Sequence, residues 1–201
     1  ASSMATVHLS ESFARMQGEV GPNIPAGWRG GNAHVQVRKR IDEVNAEIYL
    51  AAQSEARYAG MGTTLVVAWF YDNCVTVAHI GDSRLYRMRG ETLEQLTRDH
   101  SLLQEQLDSG MITPAQARAF HARNLVTRAL GVEPVVEPEV QSFDVLAGDI
   151  FLLCSDGLSD MVDDRDIARA LRELGDDPAV VADCLVNMAN DNGGRDNVSV
   201  I

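Results

Sequence analysis

The chain has 201 residues, of which 45% are hydrophobic and 23% charged, with a formal net charge of -12. Those proportions suit one globular domain with an ordinary core and show no compositional sign of disorder. The acidic balance argues against a nucleic-acid surface, because phosphate contacts need clustered Lys and Arg. The one basic run, Arg38-Lys39-Arg40, is better explained by a helix face.

Cys74, Cys154 and Cys184 are odd in number, widely spaced and set in apolar stretches, which fits buried thiols in a reducing compartment rather than a disulfide framework. No apolar run approaches the roughly 18 residues of a membrane span, and residues 1–16 carry no targeting pattern. A cytoplasmic protein with neither a membrane nor a nucleic-acid partner is expected.

In chain order, Met4, Val7, Phe13 and Met16 recur at helical intervals, and the glycine- and proline-rich residues 18–32 then read as a surface loop. Over residues 33–58, Val37, Ile41, Val44, Ile48 and Ala51 repeat by three and four, the pattern of a long amphipathic helix. Residues 63–71 and 74–80 are β-branched and aromatic runs joined at Asp72-Asn73, a predicted hairpin. Residues 84–90 and 91–97 form a second, more polar pair around Gly90. Short helices are expected at 102–107 and 114–120 within an insertion spanning 99–131, Pro114 being acceptable at a helix start. Residues 135–145 and 148–155 return to strand, 165–174 and 179–191 to helix, and 196–201 to a closing strand. This order predicts an α+β layered domain rather than an alternating parallel one.

Four segments set aspartate where a strand meets a turn: "IGDSR" with Asp82, "TRDHS" with Asp99, "CSDGLSD" with Asp156 and Asp160, and "GGRDNVSV" with Asp196. Singly, each is explained as an ordinary turn residue bonding to nearby amides. Jointly, "FLLCSDG" and "RDNVSV" put acids at the end of one core strand and the start of another, where antiparallel neighbours can bring them together. Convergent carboxylates repel unless they hold a cation, and an all-oxygen set selects Mg²⁺ or Mn²⁺. On spacing alone, ordinary turns and a divalent-metal site both stand.

The segments "GMGTTLVVAWF" from Gly60, "VAHIGDSRLYRMR" from Val77, "LTRDHSL" from Leu96, "NLVTRALG" from Asn124, "GDIFLLCSDGLSD" from Gly148 and "GGRDNVSV" from Gly193 resemble, in order, the motifs of the metal-dependent PP2C-type (PPM) protein serine/threonine phosphatases. The resemblance covers essentially the whole chain and implies an α+β fold, a β-sandwich of antiparallel sheets flanked by helical pairs. Residues 99–131 are similar to the flap of the bacterial members. It also implies two Mn²⁺ or Mg²⁺ ions, with Asp156 and Asp196 as ligands, and Asp82 and Asp160 beside a third, weaker ion. Asn197 is read as a turn residue beside the centre, not a ligand. Gly60, Gly62, Thr63 and Thr64 are read as structural, packing the long helix against the first core strand.

The implied activity is hydrolysis of phosphoserine and phosphothreonine in proteins by a metal-activated water, opposing Ser/Thr kinases in bacterial signalling. No cysteine nucleophile is needed, and no Cys-x₅-Arg loop is present. Phosphorylated proteins and cognate Ser/Thr kinases are the implied partners of a monomer. The family's opening strand pair, its phosphate-binding arginine and its Asp-Gly turn have no counterpart among these residues, so they are expected upstream in a longer parent chain. A non-catalytic relative that kept the scaffold is the alternative, since fold does not guarantee chemistry. A divalent-metal nuclease shares the acids but conflicts with the charge. Arg84, Arg87 and Arg98 read as surface pairs, and His79 and His100 as hydrogen-bonding turn residues.

Overall fold

A computed structural model describes residues 1–20, 31–117 and 125–201. Two compact units emerge, one of residues 1–81 and 100–144, the other of 82–99 and 145–201.

In the first unit, α1 (Ser2–Val20) and α2 (Gly31–Ser54) pack together, and a 3₁₀ turn at Ala56–Tyr58 follows. The α2 stripe is Ala33, Val37, Ile41, Val44, Ile48 and Ala52, all buried, so the repeat by fours and threes selects one face. Full burial of a side chain such as Ile41 contributes about 1.5–3 kcal/mol. The sheet is β1 (Leu65–Tyr71), β2 (Cys74–Ile80) and β5 (Glu139–Asp144), antiparallel with β2 central. Tyr71 pairs with Cys74 across the two-residue turn, where Asp72 takes the left-handed conformation, φ 49°. Trp69, Tyr71, Ala78 and Ile80 join the α2 stripe and Ala5 and Leu9 of α1 in one core. Asn45 lies buried in that stripe and holds a loop: its Oδ1 accepts from the Gly131 N–H at 2.8 Å and its Nδ2 donates to the Glu133 oxygen at 3.1 Å.

In the second unit, β3 (Arg84–Arg89) lies between β4 (Thr92–Gln95) and β6 (Ile150–Cys154), again antiparallel. The helical pair α6 (Asp164–Leu174) and α7 (Pro178–Asp191) covers one face. Tyr86 and Met88 alternate inward on β3 and meet Leu152 and Cys154 of β6, Ile167 and Leu171 of α6, and Leu185 of α7. The start of α7 is fixed by Asp177, whose carboxylate accepts from the Ala179 and Val180 N–H groups at 3.1 and 3.3 Å, with Pro178 in the first turn. Two antiparallel sheets, each carrying its own helical pair, realise the expected α+β class.

Several boundaries differ from the sequence reading. Gly18–Val20 belong to α1 and Gly31-Asn32 open α2, so the expected loop is shorter at both ends, and its residues 21–30 lie outside the described set. Glycine lowers helix propensity by only about 1 kcal/mol, which packing overrides. The expected helix at 114–120 is α4 (Pro114–Ala117), with 118–120 outside the described residues. Strand β5 begins at Glu139 because Pro134 and Pro138 have no N–H for a ladder. The closing strand is reduced to the Cys154–Val200 bridge and its adjoining bonds. The tight approach at Gly62 is to the 130–132 segment, since a Cβ there would lie 2.7 Å from Val132 Cγ2.

Candidate metal centre

The second unit gathers its acids at one end of the β3–β6 pair. The ladder's last partners at that end are Arg84 and Cys154. Two residues further out on each chain stand Asp82 and Asp156, so the register that aligns Tyr86 with Leu152 also delivers both acids to one edge.

Past Cys154 the chain forms a short helical turn, α5 (Asp156–Ser159), after α3 (Leu102–Asp108) and α4 in chain order; nothing in the sequence reading anticipated it. Asp156 opens the turn and Asp160 closes it, the Asp160 N–H donating to the Asp156 carbonyl at 2.8 Å. The Gly157 N–H donates to Asp156 Oδ1 at 2.9 Å, fixing the carboxylate at the turn's start. Asp196 arrives on an exposed loop, its Oδ1 accepting from the Asn197 N–H at 2.7 Å. Gly157 is what lets that loop close: a Cβ there would lie 2.3 Å from the Asn197 carbonyl oxygen.

The electrostatics show that these acids sense one another. Asp82 is only 7% exposed, and its pKa is pushed up to about 6, first by burial and then by the charges of Asp156, Asp99 and Asp160. Asp156 is raised as well, first by burial and then by Asp196, with Arg84 acting in the opposite direction. Each of the four predicted acids therefore acts on at least one other, with Asp160 and Asp196 the exposed members.

The cluster has a buttress that the sequence reading assigned to surface pairs. Arg84 is 22% exposed and Asp99 11%, and they form a two-pronged ion pair, Nε–Oδ1 at 2.9 Å and Nη2–Oδ2 at 2.7 Å. The remaining Arg84 prong donates to the Tyr86 hydroxyl at 2.9 Å, and that hydroxyl donates to Asp164 Oδ1 at 3.0 Å. Gln95 adds a bond to Asp99 Oδ1 at 3.0 Å. Arg87 does form the expected surface pair, with the 52% exposed Glu94. The period-two alternation of β3 carries the signal for Arg84, because it shares the face of the core residues Tyr86 and Met88.

Four carboxylates, one of them with its pKa raised first by burial and then by its neighbours, form a donor set suited to hard divalent cations. Among the described residues, a second group with ligand-type side chains lies in the first unit: His79, His100 and Glu139. It does not fit a metal. His100 Nδ1 accepts from the Gly81 N–H at 3.2 Å, so the neutral ring carries its proton on Nε2, the atom facing Glu139 Oε2 at 3.8 Å. Binding through Nε2 would move the proton to Nδ1, against the Gly81 N–H. Burial, then His79 and Arg128, lower the His100 pKa to about 4, so the ring stays neutral, and it stacks on His79 at 4.7 Å. The hydrogen-bonding role expected of His100 accords with this.

Antiparallel sheets with paired helices, and a carboxylate cluster at a sheet end, present an all-oxygen donor set of the kind hard divalent cations take. The family profile described as "Protein phosphatase 2C" matches residues 1–183, and the chain belongs to that family. It is 43% identical over 168 residues to the serine/threonine phosphatase stp of Listeria welshimeri, covering 82% of this chain and 65% of that protein. The chain thus spans just under two thirds of the length of the Listeria relatives it matches. Among solved structures, serine/threonine phosphatase Stp1 from Staphylococcus aureus superposes with a TM-score of 0.87 at 34% identity, over 100% of this chain and 75% of that one. The catalytic domain of PstP in complex with 2 manganese ions gives 0.79 at 35% identity, over 98% and 78%.

Proposed function

We propose that this chain carries a metal centre that hydrolyses phosphoserine and phosphothreonine in phosphorylated proteins. The observation that carries the reading is the buried Asp82 set among Asp156, Asp160 and Asp99, an arrangement costly without a cation. Relatives named as serine/threonine phosphatases, and the two manganese ions of the PstP complex, support it.

Asp156 and Asp196 would hold the principal ions, with Asp82 and Asp160 flanking a further, weaker site. When bound, Mn²⁺ or Mg²⁺ supplies a water of lowered pKa and screening for the phosphoryl oxygens. The protein's own part is placement. The register of β3 on β6 sets Asp82 and Asp156 at one edge, and the Gly157 N–H fixes the Asp156 carboxylate. The Arg84–Asp99 pair puts a guanidinium beside Asp156 that favours its ionised form. A non-catalytic scaffold is not favoured, because it has no use for four convergent acids. We read residues 99–131 as the family's flap, and the protein as a cytoplasmic monomer opposing Ser/Thr kinases. Among the described residues no helix is long and apolar enough to cross a membrane.

The test is hydrolysis of a phosphothreonine peptide by the full-length protein, with Mn²⁺ or with EDTA. Release of phosphate only with the cation is expected, and equal release in EDTA would contradict the reading.

A further inference from the structure

Ser155 precedes Asp156 at the position that caps α5, where a serine hydroxyl ordinarily accepts from an N–H of its own helix. It makes no such bond. Its hydroxyl instead reaches across to the loop of Asp196: it donates to the Asn197 carbonyl oxygen at 3.1 Å and accepts from the Ser199 N–H at 3.0 Å. The Ser155 backbone N–H adds a bond to the Ser199 oxygen at 3.1 Å.

One side chain therefore joins the residue before Asp156 to the residue after Asp196. On the other flank, Gly157 admits the same Asn197 carbonyl by lacking a Cβ. Both neighbours of Asp156 thus serve one approach, between two carboxylates whose charges oppose it. The Asn197 backbone is tied on both sides, its carbonyl oxygen accepting from Ser155 Oγ and its N–H donating to Asp196 Oδ1 at 2.7 Å.

We propose that Ser155 is a positioning residue: its hydroxyl holds the Asp196 loop against the Asp156 turn and so sets how these two carboxylates are presented to a divalent cation. This rests on the metal-centre reading of the same acids. Groups that orient ligands from behind typically change metal affinity 10–100-fold when removed, which is about the effect expected here.

The experiment compares full-length wild type, Ser155→Ala and Ser155→Thr by calorimetric titration with Mn²⁺, alongside unfolding midpoints in EDTA. The expected result is a Mn²⁺ dissociation constant about 10–100-fold weaker in Ser155→Ala, restored to within a few-fold by Ser155→Thr, which keeps the hydroxyl. If Ser155→Ala does not fold, Ser155→Cys, with a weaker donor of similar shape, is expected to give an intermediate affinity. Wild-type affinity in Ser155→Ala or Ser155→Cys, or an equal loss in Ser155→Thr, overturns the proposal. So does a change confined to the EDTA unfolding midpoint, which marks a merely structural bond. Absence of Mn²⁺ binding by the wild type overturns the metal-centre reading itself, and the two failures are thereby distinguished.

Discussion

Asp82→Asn removes one carboxylate from the crowded end of the β3–β6 pair and should stabilise the metal-free protein. The folded-state pKa of Asp82 is about 6 against an ordinary 3.8, so folding disfavours its ionised form. The penalty is complete above the folded value, declines as pH falls through it, and vanishes below the unfolded value. A two-unit shift corresponds to nearly 3 kcal/mol, and solvent screening near the open cluster edge brings this to about 2 kcal/mol. At about 2–4 °C per kcal/mol for a domain of this size, Asp82→Asn should melt roughly 4–8 °C above wild type in EDTA at pH 7.5. At pH 4 the gain should fall below about 0.5 kcal/mol, since Asp82 is then protonated when folded and half so when unfolded. The assay is thermal and urea unfolding in EDTA at the two pH values. A variant equal to or less stable than wild type at pH 7.5 would refute the argument that these acids are crowded.

Gly157→Ala places a Cβ 2.3 Å from the Asn197 oxygen and should cost about 1–3 kcal/mol, with weaker Mn²⁺ binding as the Asp196 loop is pushed outward. Urea unfolding and calorimetry check both effects. Arg84→Gln strips Asp99 of its two-pronged partner and should cost about 2 kcal/mol, read as a shift in the urea midpoint. Asp156→Asn should reduce Mn²⁺-dependent phosphate release from a phosphothreonine peptide at least about 10³-fold while leaving the fold intact, as judged by circular dichroism.

Much of the fold was legible because the deciding interactions are local and periodic. The α2 stripe and the Asp72-Asn73 hairpin each follow from spacing or turn chemistry within a few residues. The closing segment was less legible: the expected strand over 196–201 pairs backbone to backbone only from Ser199 onward, and Asn197 is held instead by the Ser155 hydroxyl. The four acids were named together from their motif order, and their charges act on one another in the structure. What stayed hidden was their support. Arg84 meets Asp99 from 15 positions away and Tyr86 reaches Asp164 from 78, pairings that no local pattern specifies. The helical turn α5 was hidden for a related reason, because its four residues carry too little periodicity to register.

The most direct measurement is anomalous scattering at the manganese edge from crystals of the full-length protein grown with MnCl₂. The account predicts density within bonding distance of the Asp156 and Asp196 carboxylates, with any weaker peak beside Asp82 and Asp160. Manganese absent from those four acids, or bound instead at His79, His100 and Glu139, would contradict it.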